Sequence, residues 1–213
     1  HTDGPEGINK NGHGEVFDVD SQMRLSATFE SHLSGDPRLS VLFAPGSSNS
    51  VIVGMPNGST SDTYVGTDGV SVPGVTDRHV YAQTHDALKG KDVPMVFQTY
   101  AEVEFLKAEA AIRGWISSSA KEHYDKGVTA AMKMLKQLYP ASTAITDAEI
   151  SAYLAGPGAY DASKGWEMAM NEYWKATFLN EYEAYANWRR TGYPTLTPTK
   201  HPNSVSNNQI FRR

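Results

Sequence analysis

Tyr160-Asp161-Ala162-Ser163-Lys164-Gly165 has the Tyr-x-x-x-Lys spacing with which a short-chain reductase lowers a tyrosine pKa for proton transfer. That chemistry needs a nicotinamide cofactor on a glycine-rich turn, and no Gly-x-Gly-x-x-Gly or strand-helix alternation precedes it. The plainer reading is a Gly/Pro loop entering a helix. Glu102 and Glu109 share a helix face at i, i+7, which invites a paired-carboxylate glycosidase. Two turns set them roughly 10 Å apart along the axis, wider than the roughly 5 to 9.5 Å such hydrolysis uses, and Glu102 already has a helix-capping position. Asp18-Val19-Asp20-Ser21-Gln22 begins as a calcium loop does, but Met23 stands where glycine is required and no glutamate follows at position twelve. The seven histidines, His1, His13, His32, His79, His85, His123 and His201, include no i, i+4 pair suited to zinc. Gly-x-Ser-x-Gly and phosphate-cradling glycine loops are absent. The sequence therefore nominates no catalytic set, no metal site and no cofactor.

Binding chemistry has more material, with 11 Tyr, 4 Trp and 7 Phe. Flat amphipathic rings suit stacking on sugars or gripping peptides. Trp166, Trp174, Tyr182 and Trp188 recur at helical spacing and read as packing residues. Tyr64 and Tyr81 lie instead in a polar stretch, the first near Asn57, Asp62 and Asp68, the second near Arg78 and Gln83. Asp62, Tyr64, Asp68, Arg78 and Tyr81 are accordingly the expected ligand-binding residues.

The elements that must position these groups divide near Pro94. Residues 1–93 are rich in Gly, Ser, Asp, Asn and Pro and read as a loop-rich arm. Gln22 to Leu33 suits a short helix or strand, and Leu39 to Phe43 and Val51 to Val53 suit short strands. Residues 94–213 read as a helical scaffold. Capping boxes at Thr99-x-x-Glu102, Ser119-x-x-Glu122 and Thr146-x-x-Glu149 open helices at about 99–113, 119–139 and 146–155, and a longer pattern runs over 163–190. Spacing predicts that the first helix buries Tyr100, Val103, Leu106 and Ala110, with Phe105 beside them. With 213 residues, 39% hydrophobic and 20% charged, the chain can bury a core. Nineteen basic against 24 acidic residues, net −5, without a basic cluster before Arg212-Arg213, argue against a nucleic-acid partner. No apolar run is long enough to span a bilayer. Zero cysteines exclude disulfides, thiolate sites and a lipid attached within this segment.

The run Pro94-Met95-Val96-Phe97-Gln98-Thr99-Tyr100-Ala101-Glu102-Val103-Glu104-Phe105-Leu106-Lys107-Ala108-Glu109-Ala110, followed by Arg113-Gly114-Trp115, resembles the SusD/RagB family of nutrient-binding outer-membrane lipoproteins. Three further segments agree in order: Gly35-Asp36-Pro37-Arg38-Leu39, His123-Tyr124-Asp125-Lys126-Gly127-Val128, and Glu183 to Pro194 with its Trp188-Arg189-Arg190-Thr191-Gly192-Tyr193-Pro194 ending. The resemblance implies a mainly α fold, with tetratricopeptide-like helical pairs, long irregular loops and a few short strands. It also implies that this chain is the C-terminal part, partnered by the N-terminal part of the same protein. The implied function is non-catalytic capture of an oligosaccharide, or secondarily a peptide, for a SusC-type TonB-dependent transporter; the alternative reading is a structural or adaptor helical protein that recognises a protein partner. The implied location is the outer-membrane surface, through a lipid on a cysteine outside this segment. No ligand-contact residue carries over, because the matching segments are scaffold.

Overall fold

A computed structural model describes residues 10–19, 23–58 and 78–199. Among them are α1 (Gly12–Val19), α2 (Ala27–His32), α3 (Arg38–Leu42), α4 (Tyr100–Ile112), α5 (Ala120–Leu138), α6 (Asp147–Ala155), α7 (Gly165–Ala176) and α8 (Glu181–Thr191). A short antiparallel pair joins β1 (Phe43–Ala44) to β2 (Gln83–Thr84), with Phe43 opposite Thr84. The mainly helical class is as the sequence implied.

The helix starts follow from their caps. Thr99 Oγ1 accepts from the Glu102 N–H at 3.1 Å and the Glu102 carboxylate accepts from the Thr99 N–H at 2.9 Å, a complete capping box opening α4. Thr146 and Glu149 repeat it at α6, with bonds of 3.2 and 2.8 Å. At α5 only half the box forms. Ser119 accepts from the Glu122 N–H, while the Glu122 carboxylate takes Lys126 at 2.6 Å instead.

Helix α4 buries a different face from the one its apolar spacing predicts. Ala101, Glu102, Glu104, Phe105, Ala108 and Glu109 are buried, while Tyr100 and Leu106 are exposed. The inversion is possible because each buried carboxylate has partners: Thr99 for Glu102, His123 and Lys107 for Glu104, Arg113 and Arg190 for Glu109. Helix α5 packs antiparallel on that face, and Gly127 makes the contact close. A Cβ there would sit 2.6 Å from the Phe105 ring. Tyr124, Val128, Met132 and Leu135 form the buried face of α5, as their spacing predicts.

Three further expectations are corrected. The pattern over 163–190 is two helices, broken at Thr177-Phe178-Leu179-Asn180. Thr177 Oγ1 bonds the carbonyls of Tyr173 and Trp174, both at 3.1 Å, and Leu179 adopts φ +65°, outside helical backbone. The stretch 39–43 is helical α3 apart from Phe43, and Val51 to Val53 form no strand; the nearby pairing is a single parallel bridge between Ser26 and Met55. Apolar residues of both halves enter one core, with Leu25, Phe29, Leu33, Val41 and Leu42 joining Phe105, Val128, Met132, Ala169 and Met170.

The two halves are also joined by buried charge. Arg38 binds Asp36 at 2.5 Å and Glu172 of α7 at 2.6 Å, and Lys175 binds Glu172 at 2.7 Å and Asp36 at 3.4 Å. Tyr153 of α6 donates to Glu172 at 2.7 Å and accepts from Lys175 at 2.8 Å. Two carboxylates and two cations leave no net charge, and none of the four side chains exceeds 7% exposure. Burial alone would push the Glu172 carboxyl up, but Arg38 and Lys175 pull it down to about 2. A carboxylate so depressed contributes stability present above its unfolded value near 4.5 and lost as pH falls towards 2. We expect Arg38→Ala to destabilise the protein by about 3 to 5 kcal/mol, because it strands two buried carboxylates. We expect the acid-unfolding midpoint to move towards neutral pH, both measurable by circular dichroism.

Candidate functional site: an aromatic-lined cleft

The break between α7 and α8 turns Phe178 and Leu179 away from the helix axis and, with α1 and α2, leaves an open cleft of about 480 Å³. Phe29, Phe43, Trp174 and Phe178 form its base. Phe29 lies 4.8 Å from Trp174 edge-on and 5.5 Å from Phe178 face-on, and Phe43 and Phe178 are 5.2 Å apart, so each ring fixes its neighbours. His32 also meets Trp174 edge-on, and burial and Lys175 push its imidazole pKa down. The rim is polar. His13 of α1 meets both carboxylate oxygens of Glu181 of α8 at 3.0 Å, and Arg24 lines another side with its Nε on the Arg78 carbonyl at 3.2 Å. An apolar floor of this size with a few placed polar groups is the usual make-up of a small-ligand site. By contrast, the enclosed cavity beside Arg38, Glu102 and Lys175 measures about 20 Å³ and holds at most a water.

The wall formed by α8 is held from behind. Tyr173 OH lies 2.5 Å from Glu183 of α8 and 3.3 Å from Glu102 of α4. A phenol has one proton to donate, so it serves one carboxylate at a time. Burial raises the Glu102 carboxyl above its ordinary value and Glu183 adds to the rise, against the Thr99 bonds that lower it.

The sequence-predicted ligand residues fall in three places. Asp62, Tyr64 and Asp68 lie outside the described residues. Arg78 is half-buried in a 3-10 turn over Arg78–Val80, beside Arg24 at the cleft. Tyr81 is 0% exposed, so its ring presents no face to solvent. Asn57, at the near end of the undescribed stretch 59–77, bonds Thr28 of α2 at 2.8 Å. At the other end of that stretch, the Arg78 carbonyl meets Arg24, which lines the cleft. The cleft residues themselves carried one sequence signal, the aromatic spacing of Trp174 and Phe178, which reads as core because the helix break is invisible in it.

The other sequence candidates resolve into structural roles. Tyr160 packs on Tyr124 at 5.2 Å, and burial with Asp161 raises its phenol pKa, the reverse of what proton transfer to a carbonyl requires. Asp18 sits on α1 and pairs with Lys91 at 2.8 Å. Among the described residues no group of three His, Cys, Asp or Glu could hold a metal, and no helix is long and apolar enough to cross a membrane. One arrangement escaped the sequence. Ser118 Oγ lies 2.8 Å from His123 Nε2, and His123 Nδ1 lies 2.6 Å from Glu104. Burial would raise the Glu104 carboxyl, but His123 and Lys107 bring it down to about 2.

Packed helices with one short strand pair, and a cleft where α7 and α8 part, make up a SusD-like helical fold. The chain belongs to the SusD-like family described as starch-binding and associating with outer membrane, whose model matches residues 8–213. A solved chitin-binding protein is similar at 30% identity and TM-score 0.79, covering 94% of this chain and 45% of its own. A SusD homolog from Bacteroides fragilis matches at 22% identity and TM-score 0.73, over 89% of this chain and 44% of that one. A chitin-binding SusD homolog from Flavobacterium johnsoniae matches at 21% and 0.62, over 90% and 42%. The chain thus spans less than half the length of these relatives. No curated protein matches it.

Because the raised Glu102 pKa means that the folded state binds this proton more tightly than the unfolded one, stability falls as pH rises through it. Glu102→Gln keeps the capping geometry without the charge. Its melting temperature relative to the native chain should therefore rise between about pH 4 and pH 7, and a difference independent of pH would contradict the shift.

Proposed function

We infer that this chain is the C-terminal part of a non-catalytic protein that captures an oligosaccharide at the outer-membrane surface and passes it to a SusC-type TonB-dependent transporter. The observation that carries the reading is the aromatic-floored, polar-rimmed cleft in a chain of this family. Trp174 and Phe178, the half-buried rings over the core residues Phe29 and Phe43, suit the C–H faces of sugars, and Arg24, His13 and Glu181 offer hydrogen bonds at the rim. Asp62, Tyr64, Asp68 and Arg78 supply the remaining contacts in this proposal, Arg78 through its bond to Arg24 at the cleft. The names of the chitin-binding relatives make an N-acetylated glucosamine oligomer the first ligand to test, with a peptide as the alternative. A lipid on a cysteine outside this segment would anchor the protein.

Calorimetric titration of the full-length protein with chito-oligosaccharides, malto-oligosaccharides and short peptides tests this. Saturable binding of one class without turnover is expected. Tyr64→Ala and Arg24→Ala should each weaken binding about tenfold, with the melting temperature shifted by no more than a few degrees. Silence across the panel would retire the reading.

The Ser118–His123–Glu104 chain favours a second reading, an ester hydrolase. Its connectivity is that of a nucleophile, a base and an orienting carboxylate. The amides of Ala120 and Lys121 lie in the first turn of α5, next to Ser118 in the chain. A fluorophosphonate probe should then label Ser118, and an unlabelled protein leaves the chain the task of tying the α4–α5 turn.

A further inference from the structure

Helix α4 presents apolar side chains on two sides. The inner side buries Ala101, Phe105 and Ala108 beside the paired glutamates. The outer side carries Tyr100, Val103, Leu106 and Ala110, whose spacing of three and four residues places them on one helix face. Tyr100 is 60% and Leu106 40% exposed, and Val103 and Ala110 are half-buried between and beyond them. Lys107 and Arg113 flank this stripe, but each turns its charge to a glutamate of its own helix, Glu104 at 3.0 Å and Glu109 at 2.9 Å. A helix left to water keeps a polar outer face, whereas one that is apolar on both sides is covered on both.

The chain on either side of α4 continues in the same way. Phe97 ahead of it is 83% exposed, and more than half of the large apolar side chains exposed among the described residues fall between Met95 and Ile116. The outward residues of α5 differ, being charged and paired: Lys126 with Glu122 at 2.6 Å and Lys133 with Asp147 at 2.8 Å. An open groove of about 430 Å³ lies where the two helices adjoin, with Tyr100 lining it from α4 and Lys126, Thr129, Ala130 and Lys133 from α5.

We propose that the outer face of α4 seats an amphipathic helix from the preceding half of the same protein. The proposal rests on the reading of this chain as the C-terminal part of a longer one. The chain covers only 45%, 44% and 42% of three solved relatives, so the remainder of such a protein is larger than the part described and needs a face on which to pack. An apolar helix stripe is where that packing removes most hydrocarbon from water. An occupant tied through the backbone also covers the stripe permanently, while a ligand or a transporter would leave it bare between encounters. Ala110 and Val103 are small enough to let a second helix approach closely, with Tyr100 and Leu106 entering its grooves. The charged ridge of α5 then meets the polar flank of the incoming helix.

The test uses the full-length protein, whose intact mass first establishes whether a preceding half is present. Leu106→Cys, followed by peptide mapping, should react with a maleimide at least about a hundredfold more slowly in the folded protein than in urea, because labelling then waits for the two halves to part. Leu106→Asp should lower the melting temperature by about 5 °C or more, where a solvent-facing position would tolerate it. With Lys107 replaced by the photo-crosslinker p-benzoylphenylalanine, cross-links should form within one polypeptide, to a segment ahead of residue 1. A cysteine at 106 that reacts as fast folded as unfolded would overturn the proposal, and so would cross-linking to a second copy or to another protein. In a protein of full family length these results leave the C-terminal reading standing. A mature protein with no preceding half removes that reading and the proposal together.

Discussion

The Asp36–Arg38–Glu172–Lys175 cluster ties the arm to the helices. Arg38 belongs to α3 and Glu172 to α7, 134 residues later, and the guanidinium reaches both carboxylates within 2.6 Å. Charges buried this completely are tolerable only as a closed set, since any one left alone would carry a desolvation cost of several kcal/mol. The set closes only when α3, α6 and α7 are all in place, because Tyr153 of α6 completes the coordination of Glu172 and Lys175. The cluster therefore adds little net stability over an apolar core but penalises any other arrangement of these three elements. Trp174, adjacent to Lys175, and Phe178, three residues on, form the cleft floor. The ion cluster is thus what keeps that floor opposite Phe29 and Phe43.

A related economy appears on α4, whose buried side contains three glutamates. Each does two jobs. Glu102 caps its own helix and faces Tyr173 of α7, Glu104 receives His123 of α5, and Glu109 receives Arg190 of α8. Carboxylates here replace apolar knobs as the means of choosing neighbours, because a buried charge accepts only a partner of the right sign and reach. The apolar residues displaced to the other side, Tyr100 and Leu106, leave an exposed face on α4.

This inversion explains what was legible in the sequence. Capping boxes are local chemistry, and those at Thr99 and Thr146 mark their helix starts to within a residue. The face of α5 was legible for the same reason, since its buried side is apolar and regularly spaced. The face of α4 was not, because periodicity counts a glutamate as solvent-facing and cannot see a histidine 19 residues away. Asp36-Pro37-Arg38 was conspicuous as a family segment, yet only the fold shows that its charges serve packing. The candidate site was less legible still. Its rings come from α2, β1, α7 and the segment before α8, so no stretch of sequence contains more than part of it.

The break between α7 and α8 decides whether there is a cleft at all. Had the pattern from 163 to 190 continued as one helix, Phe178 would sit one turn beyond Trp174 on the same side, and α8 would follow the α7 axis. Instead Thr177 occupies the last carbonyls with its own hydroxyl, and Leu179 takes a backbone conformation unusual for a branched side chain. Contacts made by the redirected helix offset that strain. Its new course brings Glu181 to His13, Glu183 to Tyr173 and Arg190 to Glu109, three contacts that a straight helix would not make. The same turn that costs backbone energy at Leu179 therefore opens the aromatic floor at one end of α8 and brings Arg190 to Glu109 at the other. The cleft thus descends from one local departure from helical geometry.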